Sequence, residues 1–189
     1  MATAPSRKKV RSDAQRNREK IISVAAEMFE ERGLNVSMDA IAKAAGVGAG
    51  TLYRHFSNRD ALISEVMEVQ NYCLPSLDGA VNQADSYYEA LRVWIDALFG
   101  WFRTYDDLAE PLLEASSGDY QSPLGMKCQN AIATMDILVR GAQKEGKVRE
   151  GVTGETLYRA ALGIAWSTQC MDDPKEVFTL LERGWLVAE

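Results

Sequence analysis

The residues of this 189-residue chain best suited to chemistry lie close together. Ala49, Gly50, Thr51, Tyr53, Arg54 and His55 bring small, hydroxyl, aromatic and basic side chains into one short stretch. Small residues allow close approach. Hydroxyl and basic groups then reach phosphates or base edges, as at a helix end pressed against a nucleic-acid groove. Arg54 suits a guanine or a phosphate; Tyr53 carries a hydroxyl on an apolar body. Ala49 and Gly50 contribute closeness or a thymine-methyl contact. His55 is read as a DNA contact, the alternative being a histidine that packs the short helix. It is also the only histidine in the chain, so no Ser-His-Asp, Cys-His or HExxH arrangement can be built elsewhere. No phosphate loop, dinucleotide fingerprint or zinc spacing is present. Asp106/Asp107 and Asp172/Asp173 fall at expected helix boundaries, where capping and solvation explain them. The reading is non-enzymatic, with no catalytic residues, no metal and no cofactor.

Two short helices must position these side chains. Ser37 is a good N-cap for a helix that turns Ile41, Ala42 and Ala45 inward, with Asp39 in its favourable first turn. Gly46 ends that helix, Val47 plugs the core from the turn, and Leu52 and Phe56 face inward at i and i+4 from a second helix. The stretch 37–56 is therefore a helix-turn-helix. Ser12 or Asp13 is expected to open a preceding helix through Arg32, packed over it by Ile21, Ile22, Ala25, Met28 and Phe29. Arg16, Arg18 and Lys20 near its start lie beside a DNA backbone or are simply solvated. Ser57 or Asn58 opens a following helix through about Leu74, with Ala61, Leu62, Glu65, Val66 and Val69 at helical spacing. Arg59 stands in the first turn of that helix, where the dipole disfavours a cation, so an anionic partner such as a phosphate is expected.

The run G-V-G-A-G-T-L-Y-R-H-F followed by S-N-R-D-A-L resembles the signature of the TetR family of bacterial transcriptional regulators. The resemblance extends back through A-A-E-M-F-E-E-R-G (25–33) and covers about the first third of the chain. One departure is Gly48, where the family usually has a serine or threonine capping the recognition helix. The resemblance implies an all-α protein: an N-terminal three-helix DNA-binding domain and a C-terminal helical domain for ligand binding and dimerisation. The divisions expected are a flexible basic arm (1–12), the DNA-binding domain (13–74) and the C-terminal domain (75–189). Ser37, Ala49, Gly50, Thr51, Tyr53, Arg54, His55 and Arg59 are the candidate DNA contacts.

Charge supports a divided chain. The formal net charge is −6, which alone argues against nucleic acid. Yet residues 1–60 hold eleven Lys/Arg against seven Asp/Glu, and residues 61–189 hold ten against twenty. A basic N-terminal module on an acidic body suits a DNA reader with a separate sensing part. Arg7, Lys8, Lys9 and Arg11 make the arm basic; it tracks phosphates or is a solvated tail. Cys73, Cys128 and Cys170 are scattered without CxxC spacing, which reads as reduced thiols in a cytoplasmic protein. No apolar run reaches the length of about 20 residues that a membrane span requires.

The remainder reads as helices at about 83–104, 107–117, 122–145, 153–171 and 174–187, with breaks at Pro111, Gly118, Pro123, 145–154 and D-D-P (172–174). Tyr88, Leu91, Ile95, Leu98 and Phe102 form one apolar stripe, widened by Trp94 and Trp101; Cys128, Ile132, Met135, Val139 and Ala142 form another. Leu157, Ala161, Ile164 and Thr168 line a third, flanked by Ala160, Gly163 and Ser167. The expectation is a homodimer through the last two helices, as the resemblance also implies; burial within one subunit is the alternative. The resemblance further implies a small-molecule effector in the C-terminal domain. Trp94, Phe99, Trp101, Phe102, Tyr105, Met126, Met135, Trp166 and Cys170 are the candidates for an apolar or aromatic ligand, although a helical core needs the same side chains. The function expected is a repressor released from a near-palindromic, double-stranded operator by its effector. An activator or corepressor-dependent regulator of the same architecture is the alternative. An enzyme or protein-interaction module with a vestigial helix-turn-helix is the competing class.

Overall fold

A computed structural model describes residues 7–118, 121–171 and 175–187, and for 7–12 and 175 only the backbone. The chain divides into two compact units, Met1–Asn71 and Tyr72–Glu189. The architecture is all-α. Among the described residues, ten helices are joined by turns, and no strand occurs beyond one isolated bridge.

The first unit holds α1 (Arg7–Arg32), α2 (Met38–Ala44), α3 (Ala49–His55) and α4 (Arg59–Val69). Ile21, Ile22, Ala25 and Phe29 of α1 meet Ile41 and Ala42 of α2, Leu52 of α3, and Leu62, Ile63, Val66 and Met67 of α4 in one buried core. α1 begins at Arg7 rather than at Ser12 or Asp13. Nothing from Arg7 onward opposes a helix, and lysine and arginine favour it. The expected arm at 1–12 is therefore helical from Arg7, and residues 1–6 lie outside the described residues. α4 stops at Val69, five residues short of the expected end. Asn71 takes a left-handed backbone (φ 57°), which ends the helix before Pro75. Val69 accordingly stands 58% exposed while Ile63 and Met67 fill the core.

The second unit holds α5 (Leu77–Asn82), α6 (Tyr87–Phe102), α7 (Ala109–Ser117), α8 (Pro123–Lys144), α9 (Gly154–Ser167) and α10 (Lys175–Trp185). α6 buries Ala90, Leu91, Trp94, Ile95, Leu98, Trp101 and Phe102, so it is the central helix its composition demands. α8 and α9 pack against it and against each other. α9 starts against α8 itself. The Gly154 amide donates to Asp136 Oδ1 at 2.5 Å, and a Cβ at Gly154 would overlap the Asp136 backbone nitrogen. The N-terminus of α6 is capped twice. Ser86 Oγ accepts from Glu89 N at 3.1 Å, and the Glu145 carboxylate accepts from the Tyr87 and Tyr88 amides at 2.8 and 3.0 Å. α10 is tied to α6 by the Arg92–Glu182 ion pair (3.1 Å) and the Phe99–Phe178 ring contact. The chain beyond α10 pairs with the turn after α8 through Arg149 N to Trp185 O (3.0 Å) and Val187 N to Lys147 O (3.1 Å).

Tyr158 sits fully buried on α9, edge-on to Phe102 at 5.1 Å. Burial pushes its hydroxyl far above the ordinary value of 10.0, and the neighbouring Cys128 thiol adds to the shift. Above pH about 10 the unfolded chain loses this proton and the folded chain keeps it. The contribution to stability is therefore complete below that pH and declines above it by about 1.4 kcal/mol per pH unit. Denaturant titrations between pH 9 and 12 will show this decline, and Tyr158→Phe will flatten it.

Candidate DNA-binding surface and effector cavity

The helix-turn-helix is assembled by caps and a tight turn. Ser37 Oγ accepts from Ala40 N at 3.2 Å and starts α2. α2 ends with Gly46 N donating to Lys43 O (3.1 Å) and Val47 N to Ala42 O (3.0 Å). That reversal requires the left-handed backbone of Gly46, φ 65°, which a glycine adopts without a Cβ penalty. Val47 is half-buried in the turn. Leu52 and Phe56 then anchor α3, at 0% and 3% exposure, so the opposite face must point outward.

On that face the structure gathers Ala49, Gly50, Tyr53 and Arg54, all exposed, with Thr51 and His55 half-buried at its edges. Ser37 is exposed as well, its hydroxyl engaged in the cap. A Cβ at Gly48 or Gly50 would meet nothing within 4 Å, so no packing inside the chain requires a glycine at either site. Gly48 has an extended backbone (φ −71°, ψ 148°) and gives α3 no side-chain cap. A serine can adopt that backbone and supply the missing bond. Gly48→Ser will therefore raise the stability of the first unit by about 0.5–1 kcal/mol, measurable by thermal unfolding.

Arg59 is also engaged within the first unit. Its guanidinium nitrogen Nη1 donates to the carbonyls of Leu34 and Val36, the latter at 2.6 Å. Two carbonyls of the segment joining α1 to α2 thus hold this cation in the first turn of α4. A clue based on the first turn of α4 alone could not reveal an acceptor 25 residues upstream. Arg18 was the less specific candidate, and it has a defined place. It pairs with Glu65 at 2.7 Å and lies over the Phe56 ring at 5.6 Å, joining α1 to α4 and to the end of α3.

In the second unit a cavity of about 270 Å³ opens between α6, α8 and the segment 72–76. Trp94 and Trp101 line it, and their indole N–H groups are committed to the carbonyls of Pro75 (3.1 Å) and Tyr72 (3.0 Å). Lys127, Asn130, Ala131 and Thr134 line it from α8. The other ligand candidates lie apart from it. Phe102, Tyr105 and Met135 are buried in the core, and Phe99 contacts Phe178 of α10 and the Arg103 guanidinium. Met126 is 50% exposed, Trp166 65% exposed, and Cys170 is also exposed. None of these three lines this cavity. The core face of α8 is set by Leu124, Cys128, Ala131 and Met135, which turns Met126 outward; that of α9 is set by Tyr158, Ala161, Leu162 and Ala165, which turns Trp166 outward. Composition flagged Trp94 and Trp101 but missed Lys127, Asn130 and Thr134. Their spacing of i, i+3 and i+7 on one helix was the available signal.

Asp172 and Asp173 lie outside the described residues. Among the described residues no cluster of His, Cys, Asp and Glu could hold a metal, and no helix is long and apolar enough to cross a membrane.

Comparison with known proteins agrees with this architecture. Residues 21–66 match the family model described as bacterial regulatory proteins, tetR family, and residues 88–184 match that of the SbtR-like transcriptional regulator C-terminal domain. The HTH-type transcriptional regulator SAB2452 of Staphylococcus aureus (strain bovine RF122 / ET3-1) is 37% identical over 91 residues, 47% of this chain and 49% of that protein. The chain thus spans about half the length of the curated relatives it matches. The TetR transcriptional regulator SCO0520 from Streptomyces coelicolor superposes with a TM-score of 0.57 at 29% identity, covering 91% of this chain and 99% of that one. KstR2 of Mycobacterium tuberculosis, a ketosteroid transcriptional regulator, shares the fold at a TM-score of 0.56 and 19% identity, covering 90% and 95%. With both units matched by family models, one of them spanning more than half of the sequence, the chain belongs to the TetR family of bacterial transcriptional regulators, a family of regulators rather than of enzymes.

Proposed function

We propose that the protein is a dimeric, ligand-responsive operator-binding repressor. The observation that carries the reading is the outward face of α3. Its exposed residues are small at the start and then aromatic and basic, on a helix anchored from behind by Leu52 and Phe56. Ala49, Gly50, Thr51, Tyr53, Arg54 and His55 are proposed to meet the major groove and its flanking phosphates, with Ser37 at the start of α2 beside them. Membership of a DNA-binding regulator family supports this.

The dimer is proposed to form through α9 and α10. Trp166, Leu180 and Val187 are 65%, 71% and 47% exposed, and a Cβ at Gly163 or Gly184 would meet nothing within 4 Å. Large apolar side chains beside bare backbone suit a second helix pair approaching closely. Two reading heads in successive major grooves would stand about 34–36 Å apart. An effector that binds better to a form with a different spacing then lowers operator affinity by its differential affinity for the two forms.

The test is selection of bound duplexes from a random DNA library at near-physiological salt. The expected result is an enriched two-fold-symmetric site whose affinity falls steeply as salt rises. Absence of enrichment, with and without cell extract as a source of corepressor, would remove the DNA-binding reading. A monomer in analytical ultracentrifugation at micromolar concentration would remove the dimer.

A further inference from the structure

The charges of α1 are arranged against the dipole of their own helix. Residues 7–18 hold six Lys/Arg and one aspartate, whereas residues 19–32 hold four glutamates against Lys20 and Arg32. A helix favours anions in its first turn and cations in its last, yet the first turn of α1 has no acid. The pattern is unfavourable within one helix and complementary to something outside it. DNA phosphates answer the basic half alone and are repelled by the acidic half.

The acidic half borders a groove. A cavity of about 460 Å³ lies between α1 and the end of α4, lined by Glu19, Ile22, Ala26, Glu27 and Glu30 of α1 and by Val69, which is 58% exposed. Arg18 also lines it but is committed to Glu65 at 2.7 Å. Glu27 and Glu30 are exposed and pair with no cation among the described residues. The groove therefore fits a helix that carries cations around a small apolar residue, and R-K-K-V-R (7–11) of this same chain is such a stretch. Gln15, Glu19, Ile22, Ala26 and Glu30 follow one stripe at helical spacing, and that stripe continued toward the start of α1 passes positions 8 and 11. With a second α1 turned end for end, Lys8 and Arg11 of each copy come opposite Glu30 and Glu27 of the other, across a two-fold axis near Glu19.

We propose that α1 pairs antiparallel with α1 of a second copy, the basic start of each helix lying in the acidic groove of the other. This contact is separate from the one proposed for α9 and α10. It uses the cations that would otherwise meet phosphates, so pairing and operator binding exclude each other; that last clause rests on the DNA-binding reading above.

The experiment is sedimentation velocity of the full chain at micromolar concentration, in about 0.05 M and about 0.5 M salt. The expected result is a heavier species at low salt whose association weakens about tenfold or more at high salt, beyond whatever species persists there. Glu27→Lys with Glu30→Lys removes it, and so does Lys8→Glu with Arg11→Glu. An equimolar mixture of these two double variants restores it, because each then meets its opposite. Glu19→Gln strengthens it, because like charges otherwise meet near the axis. Lysines toward the end of α1 suit its dipole, so a lost association is not a lost helix, and circular dichroism checks this. No heavier species at low salt, its survival in either double variant, or a mixture that fails to restore it would overturn the pairing. Duplex carrying the selected operator is expected to dissolve the heavier species. A heavier species that persists with operator bound would overturn the exclusion. A protein that pairs but binds no duplex refutes the DNA-binding reading and not the pairing.

Discussion

Replacing Gly154 by alanine lowers the unfolding midpoint of the second unit by about 10 °C, corresponding to a loss of about 2–3 kcal/mol. Two effects oppose each other here. Alanine is the better helix former by about 1 kcal/mol, which alone would make the variant more stable. Against it, the new methyl would overlap the Asp136 backbone nitrogen and press on Asp136 Oδ1 and the Ile132 carbonyl oxygen. Two of these three atoms belong to the backbone of α8, in the middle of a 22-residue helix, and cannot swing aside. Overlap therefore wins, and relief requires α9 to slide along α8, breaking the Gly154–Asp136 hydrogen bond. Gly100→Ala is the control. It lies in α6 with nothing within 4 Å of its new Cβ, and it gains the propensity term without the clash. Thermal unfolding of the two variants will move in opposite directions.

Arg59→Leu costs the first unit about 2–3 kcal/mol, because two hydrogen bonds from a charged donor to the Leu34 and Val36 carbonyls are lost together. The segment before α2 then loses this anchor and keeps the Ser37 cap and the packing of Leu34 and Met38. Operator affinity falls through this loosening, while the dependence of affinity on salt keeps its slope. Arg54→Ala does the reverse. Unfolding is unchanged within about 0.5 kcal/mol, since Arg54 is exposed, and a lost phosphate contact reduces the salt slope by about 0.9 for each protomer. Salt titration of operator binding thus distinguishes a residue that touches DNA from one that holds the reader in shape. An altered slope in Arg59→Leu would return that arginine to the DNA surface.

The first unit was the more legible. Ser37, Gly46, Leu52 and Phe56 each carry a local signal, a cap, a turn or a helical repeat, and local signals are what a sequence displays. The partner of Arg59 was hidden because it lies 25 residues away and is main chain. α5 was missed because six residues with a glycine in the middle give too little periodicity, and only the Ser76 cap marks its start. α4 ends sooner than its sequence suggests, because Pro75 is a conspicuous stop whereas Asn71 in a left-handed conformation is a quieter one. In the second unit the richness of α6 in aromatic residues correctly indicated burial. It could not say which side chains border a void, since that depends on where segment 72–76 and α8 come to rest. Met126 and Trp166 show the same limit from the other side: an apolar residue carries no mark of whether its helix face meets a core or the outside.

The placement of the indoles has a practical consequence for how the two units can be observed. All four tryptophans, Trp94, Trp101, Trp166 and Trp185, belong to the second unit, and the first has none. Tryptophan fluorescence, excited selectively over tyrosine such as Tyr53, therefore reports on the second unit alone, whereas circular dichroism sees the helices of both units. Recorded on one sample, the two signals resolve whether the first unit melts before, with or after the second, without a label or a truncation.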